Sequence, residues 1–451
     1  MESLTALSGQ LGRGEVTSRG LVETALERVS APGGEGARVY LSLYAERARA
    51  EADAFDAARA AGMDLPPLAG IPISVKDLFD VAGEVTRAAS RVLGSEPPAG
   101  VDAEIVRRLR QAGLIVIGKT NMTEFAFSGL GVNPHFGTPR NPADAVVARI
   151  PGGSSSGAAV SVATGMAAAA IGTDTGGSCR IPAAFCGVVG FKPTTRRIPR
   201  DGVFPLSRTL DSIGPIGRSV GCVAWLDAVM AGERTGEPVS LPLEGARLGV
   251  LSNYVTEGVD DDVLSAFDAA LGRLSRAGVR LVQVEIPELG DLPSLNASGG
   301  IVGIEAHALH RIRLREVGDR FDPFVRDRIA FSENVTAAEY IALLEARARI
   351  RDSVAARMEG LDALVMPTVA VVAPAIADLD DPDRAVAINR LCLRNTALAN
   401  FLDTPAVSIP CQEEEKLPVG FMLMGRSGDD RRLLALAAGL EQPIRAAGVD
   451  R

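Results

Sequence analysis

PGGSSSGAAVSVATGMAAAAIGTDTGGSCRIPAAFCGVVGFKP, residues 151–193, is the stretch on which the reading of this chain turns. Two glycine-serine loops, Gly152-Gly-Ser-Ser-Ser-Gly157 and Thr175-Gly-Gly-Ser178, flank a run of small residues from Ala158 to Ala170. Small side chains let a helix pack close against neighbouring backbone. Glycines beside a serine leave backbone N–H groups unobstructed, as an oxyanion hole requires. The same pattern also serves a phosphate-cradling loop or plain helix caps. A Walker loop needs GxxxxGK[ST], which is absent. Taken alone, either Gly-Ser loop reads as a turn as readily as an active site.

Working outward, residues 68–232 alternate short apolar runs, glycine-rich turns and helical segments, the texture of an α/β sheet. Gly70-Ile-Pro-Ile-Ser-Val75 reads as a strand, and Leu114-Ile-Val-Ile117 as another, after a helix at 103–112. Upstream, residues 1–60 read as helical. Thr17 and Ser18 are N-cap candidates, and Leu21, Val22, Ala25, Leu26 and Val29 recur at helical spacing. Downstream, strands are predicted at 247–251, 279–286, 363–366, 406–409 and 419–424. Val263, Phe267, Leu271 and Leu274 mark a helix. Thr336-x-x-Glu339 is a capping box that opens a long helix to about Met358. Glu413-Glu-Glu-Lys416 reads as a solvated turn. No linker separates independent units. The expectation is one domain, with 1–60 as its N-terminal helical layer and 61–451 as its α/β body.

Composition excludes several classes. Of 451 residues, 47% are hydrophobic and 23% charged, as in an ordinary globular protein. One Trp, four Tyr and fourteen Phe make the core mostly aliphatic. A net charge of −9 with no long basic run argues against nucleic acid as a direct partner. The most apolar stretch, 158–171, is too short and too rich in small residues to span a bilayer. No signal peptide is visible. The five cysteines form no CxxC pair and point to a reduced, cytoplasmic protein. With only His135, His307 and His310, there is little material for a Ser-His-Asp triad or a His-rich metal site. His307 and His310 are expected on a partly exposed helix face. No metal or cofactor is expected.

The two serine loops together strongly resemble the amidase signature family, over 151–193. Gly70-Ile-Pro-Ile-Ser-Val-Lys-Asp77 is similar to the family's lysine motif. Gly118-Lys-Thr-Asn-Met-Thr-Glu-Phe125, Phe136-Gly-x-x-Arg-Asn-Pro142, Leu210-Asp-Ser-Ile-Gly-Pro215 and Leu417-Pro-Val-Gly-Phe-x-Leu-x-Gly425 also fit. The resemblance implies a single large domain whose central mixed β-sheet is covered by helices. It implies Ser178 as nucleophile, Ser154 as bridging serine after a cis Gly153–Ser154 link, and Lys76 as base. The N–H groups of Thr175, Gly176, Gly177 and Ser178 would form the oxyanion hole.

The chemistry suits these residues. A serine hydroxyl needs a base, and a lysine serves only when neutral. Free lysine has a pKa of about 10.4, so Lys76 must be buried, as its place after an apolar strand predicts. Ser154 would relay the proton and deliver it to the leaving amine, which departs poorly as an anion. Ser155 and Asp174 are expected to hold the loops, and Arg180 to pair with Asp174 or brace them. Cys179 reads as a small buried thiol. The family's usual GGSSGG is GGSSSG here, with Ser156 in place of Gly, and its TTxGS is Thr86-Arg-Ala-Ala-Ser90.

The resemblance implies hydrolysis of a small amide, with carbamates, ureas and esters as further substrates, by a monomer or homodimer. Met122, Phe125 and Phe127 are the expected substrate contacts. The less-matched 295–345 region is the other, with Ile301, Ile304, Leu309, Phe321, Phe324 and Phe331 favouring an apolar group unless they are simply core. Two alternatives stand beside this reading. One is the A-type component of an amidotransferase, working in a complex on charged tRNA. The other is a catalytically silent scaffold.

Overall fold

Runs such as Pro72–Lys76, Ile115–Thr120 and Ala169–Asp174 are buried at every position. A strand apolar on both faces needs cover on both faces, which gives a sheet layered between helices. The computed structural model, which describes residues 1–233, 236 and 238–445, has this architecture. Its strands are β1 (Tyr40–Leu43), β2 (Pro72–Lys76), β3 (Ile115–Thr120), β4 (Ala169–Asp174), β5 (Val189–Lys192), β6 (Ser212–Gly217), β7 (Arg247–Leu251), β8 (Arg280–Val284), β9 (Ala363–Pro367), β10 (Ala406–Pro410) and β11 (Gly420–Met424). They form one 11-stranded mixed sheet in the order β1-β3-β2-β4-β6-β5-β10-β11-β9-β7-β8. β3, β2 and β4 run parallel, as do β8, β7 and β9, and antiparallel pairings link the two groups.

Helices pack on both faces. Ser18–Val29, Ala45–Ala60 and Ser156–Ala163 share a core cluster with residues of β3 and β4. Asp261–Arg276 and Asp430–Ile444 cover part of the β5–β11 region, where Phe267 stacks on Phe421 with ring centroids 4.9 Å apart. Ala337–Arg357 and Pro382–Phe401 contribute to a further cluster with residues of β9, β10 and β11. The Thr336 capping box is present in full, with the Glu339 side chain accepting from the Thr336 N–H at 2.7 Å.

Three expectations change. Residues 1–60 are not helical throughout, because Tyr40–Leu43 pairs antiparallel with β3 as the sheet's edge strand. The small-residue run from Ala158 to Ala170 divides into the end of the Ser156–Ala163 helix and the start of β4. His310 does not lie on a partly exposed face. It is fully buried against Phe125, Phe204 and Phe321, and burial lowers its pKa to about 3. His307, three residues earlier, is partly exposed as expected.

Phe421 has no exposed surface and sits mid-sheet against the Asp261–Arg276 helix. Phe421→Ala should therefore lower the unfolding free energy by about 3–5 kcal/mol, the usual loss for a buried aromatic. A denaturant titration checks this, and an unchanged midpoint would show that this ring does not hold the helix to the sheet.

Candidate active site

The ends of neighbouring strands bring the expected residues together. Lys76 closes β2, and Thr173 lies near the end of β4, its parallel neighbour. The Lys76 ammonium donates to Ser154 Oγ at 2.7 Å and to Thr173 Oγ1 at 2.9 Å. Lys76 and Ser154 have no exposed surface, whereas Ser178 keeps 4%. The nucleophile candidate thus fronts the site, with the other two behind it. Among the described residues no carboxylate lies within ion-pair distance of Lys76. Burial disfavours its charge and lowers its pKa to about 8, with Cys179, Asp174 and Asp211 opposing the shift.

The two serine loops are fastened to each other and to the sheet. Ser155 N–H donates to the Ser178 carbonyl at 3.2 Å, and Ser155 Oγ to the Thr173 carbonyl at 3.3 Å. Gly153 N–H donates to Gly129 O at 2.8 Å, and Ser154 O accepts from Thr123 N–H at 3.1 Å. The Gly153–Ser154 peptide bond is cis.

Asp174 organises the loop that carries Ser178. Its carboxylate accepts from the N–H groups of Gly177 and Cys179 at 2.8 and 3.1 Å. It also accepts from Arg180 Nε and Nη2 at 3.0 and 2.8 Å and from Asn400 Nδ2 at 2.9 Å. Burial pushes this carboxyl upward, but the Arg180 charge and these hydrogen bonds outweigh it and hold the pKa at about 2. Gly177 lies at φ +132°, and a Cβ there would come within 2.1 Å of Thr396 Oγ1, so only glycine fits.

The four expected oxyanion donors do not stand alike. The Gly177 N–H is already committed to Asp174 Oδ1. Those of Thr175, Gly176 and Ser178 donate to no described residue. Cys179 is buried, its Sγ lies 3.4 Å from the Gly214 carbonyl, and burial pushes its thiol pKa up.

The expected substrate contacts are mostly enclosed. Met122 and Phe125 are enclosed in the core, Phe125 against Phe204, His310 and Phe321. Phe127 retains 6% exposure and lies under the Arg328 guanidinium. Sequence reasoning missed Thr173, Asn400, Thr396 and Asp211. Thr396 Oγ1 donates to Gly176 O at 2.7 Å, and Thr175 Oγ1 to Asp211 Oδ1 at 2.6 Å. Thr173 and Asp211 lie within quoted motif segments or beside them. Asn400 and Thr396 are brought in by a distant helix and carry no local signal. Among the described residues no group of three or more His, Cys, Asp or Glu could hold a metal ion, and no helix is long and apolar enough to cross a membrane.

The Amidase family model matches residues 21–434. A 2-amino-5-chloromuconic acid deaminase from Comamonas testosteroni is 36% identical, over 98% of this chain and 96% of its own. The A subunit of a glutamyl-tRNA(Gln) amidotransferase from Synechococcus sp. (strain WH7803) is also 36% identical, over 96% and 95%. The crystal structure of an amidase superposes with a TM-score of 0.88 at 34% identity, covering 98% of this chain and 99% of the other. With its mixed sheet, its paired serine loops and a family match spanning most of its length, the chain belongs to the amidase family.

Proposed function

We propose that the chain hydrolyses the C–N bond of a small amide through a Ser178 acyl-enzyme, with Ser154 as proton relay and Lys76 as base. The observation that carries this reading is the buried contact of 2.7 Å between Lys76 Nζ and Ser154 Oγ, in surroundings that favour the neutral amine. Ser178 Oγ attacks the substrate carbonyl and forms a C–O bond. Its proton passes to Ser154, and the Ser154 proton passes to Lys76. The tetrahedral oxyanion takes the free N–H groups of Thr175, Gly176 and Ser178. Its collapse breaks the C–N bond, and Ser154 protonates the departing amine. Water then cleaves the acyl-enzyme by the same relay in reverse. Asp174, Arg180 and Ser155 hold the loops in place.

The deaminase relative, named for release of an amino group, supports the hydrolytic reading over a role inside an amidotransferase complex. An acidic chain without a long basic run favours action on small molecules rather than on nucleic acid. Five unpaired cysteines fit a reducing cytoplasm. A monomer or homodimer would suffice, because the three residues come from one chain.

Ser178→Ala should leave the fold intact and reduce amide turnover by more than a hundredfold, about the least that removal of a covalent nucleophile costs. Ammonia or arylamine release from the purified chain measures this. More than about a hundredth of the parent rate would remove Ser178 from the nucleophile role.

The rate should also depend on Lys76 in a definite direction. Neutral Lys76 is the active form, so kcat/KM should rise with pH through a midpoint near 8. Lys76→Met keeps the volume and removes the base. Near-parent amide hydrolysis by this variant would make Lys76 a structural residue.

Thr173→Val gives a sharper test. Thr173 Oγ1 accepts from the ammonium and so favours the charged lysine. Its loss should move the rising limb to lower pH while the limb itself persists. A limb that stays in place or moves upward would show that Lys76 is not the titrating group.

A further inference from the structure

Thr175 is held through its side chain alone. Among the described residues neither its N–H nor its carbonyl takes a hydrogen bond, while its Oγ1 donates to Asp211 Oδ1 at 2.6 Å. Its neighbours are tied through their backbone. Asp174 O accepts from Ser212 Oγ and Asn400 Nδ2 at 2.9 Å each, and Gly176 O accepts from Thr396 Oγ1 at 2.7 Å. The place of Thr175, and of the Gly176 N–H that follows it, therefore depends on where Asp211 stands.

Asp211 is set by the 206–211 turn. Its Oδ1 also accepts from Ser207 N–H at 3.0 Å, and its Oδ2 from Leu206 N–H at 2.9 Å. Glu305, on the Gly300–Val317 helix, clasps this turn from outside. Ser207 Oγ donates to Glu305 Oε2 at 2.5 Å, Thr209 N–H to the same oxygen at 3.1 Å, and Thr209 Oγ1 to Oε1. Tyr340 Oη, on the Ala337–Arg357 helix, donates to Oε1 at 2.5 Å. Ser207 thus joins the two carboxylates, Asp211 through its N–H and Glu305 through its hydroxyl. Among the described residues no Lys, Arg or His lies within ion-pair distance of Glu305. Burial pushes the Glu305 pKa upward, but the hydroxyls of Ser207, Thr209 and Tyr340 outweigh it and lower the pKa, so the group is a carboxylate at neutral pH. A charged acceptor makes stronger hydrogen bonds than a neutral one, and here the charge is directed at the turn rather than at a cation.

We propose that Glu305 is a positioning residue for the oxyanion donors. It fixes the 206–211 turn, the turn fixes Asp211, and Asp211 fixes Thr175 and with it the N–H groups of Thr175 and Gly176. The proposal rests on the amide-hydrolase reading, in which those N–H groups receive the substrate oxygen. Glu305 acts through Ser207 and Asp211, not by contact with the reacting atoms. An oxyanion donor works only when it is aimed at the place where charge develops, and small displacements weaken it. The 295–345 region, expected to offer apolar contacts to the substrate, then also sets the shape of the Ser178 loop through one charge.

The test separates positioning from general support of the fold. kcat and KM are measured on the fastest of acetamide, hexanamide, benzamide and p-nitroacetanilide. Trifluoroacetophenone supplies a second readout by fluorine NMR. Ser178 Oγ adds to its carbonyl carbon, the hydroxyl proton passes through Ser154 to Lys76, and the hemiketal alkoxide occupies the oxyanion position. Glu305→Ala should lower kcat by about tenfold or more with KM within about threefold, because the ground state does not use the developing charge. Hemiketal affinity should fall by about the same factor. Glu305→Gln, which keeps the shape and one acceptor oxygen, should recover most of the loss, and Tyr340→Phe should lose least. Thr175→Val already cuts the link to Asp211, so in that background Glu305→Ala should lower kcat by no more than about twofold. A Glu305→Ala kcat within about twofold of the parent overturns the proposal. So does a fall of equal size with and without Thr175→Val, which would make Glu305 a support of the fold at large. A parent that hydrolyses none of the amides and forms no hemiketal overturns the hydrolase reading and this inference with it, whereas hydrolysis without the coupling overturns this inference alone.

Discussion

The 174–180 loop depends on one buried ion pair. Asp174 and Arg180 are both fully enclosed, at 2.8 Å. Such a pair is costly to desolvate and holds only where every remaining donor and acceptor finds a partner. Here they do. Two backbone N–H groups and Asn400 complete the Asp174 carboxylate, and Asn400 Oδ1 takes the second bond from Arg180 Nη2 at 2.7 Å. The pair therefore joins three elements. These are the end of β4, the start of the Arg180–Cys186 helix and the far part of the Pro382–Phe401 helix. Removing any one partner would leave a charge or an amide stranded in the core, so the 174–180 turn has one permitted shape.

Three buried lysines show how surroundings decide role. Lys119 faces Asp77 at 3.0 Å and is engaged in an ion pair. Lys192 donates to its neighbour's carbonyl, Pro193 O, at 2.7 Å, and burial together with the Arg180 charge lowers its pKa to about 8. Lys76 has a similarly lowered pKa, but its partners are the hydroxyls of Ser154 and Thr173. A hydroxyl, unlike a carbonyl, can pass a proton on. Burial alone thus does not mark a base. Lys119 also reaches a hydroxyl, Thr86 Oγ1 at 3.4 Å, so what distinguishes Lys76 is hydroxyl partners with no carboxylate within ion-pair distance among the described residues.

Signals confined to a few residues are legible in the sequence. The Thr336–Glu339 capping box, the Thr17 cap and the apolar runs of β2, β7, β9, β10 and β11 can be read within a residue or two of their observed bounds. Features that depend on tertiary contact cannot. Tyr40–Leu43 is short and lies between helix-forming segments, and only pairing with β3 makes it a strand. Ala169-Ala-Ile favours helix by composition but is extended between β2 and β6. Phe125 and Ala126 turn at φ +51° and +62° with no glycine to announce it. The grouping of Lys76, Ser154 and Ser178 is legible only through the motifs as a set, because no spacing rule connects residues so far apart in sequence. Thr173 and Asn400 escape a sequence reading because each owes its place to long-range contacts.

The same logic explains why the region facing the substrate is the least legible. Residues that hold a loop must satisfy one another, so their types are constrained in combination and appear as motifs. A residue that meets a ligand is satisfied by something outside the chain, and its neighbours carry no matching signature. Phe321 and Ile301, named as specificity candidates, are fully packed, while Phe331 is turned to solvent. An arrangement that is complete without a ligand argues for architecture, as at Asp174. One completed only by a ligand leaves no such record among the chain's own contacts, which is why recognition is harder to read than architecture.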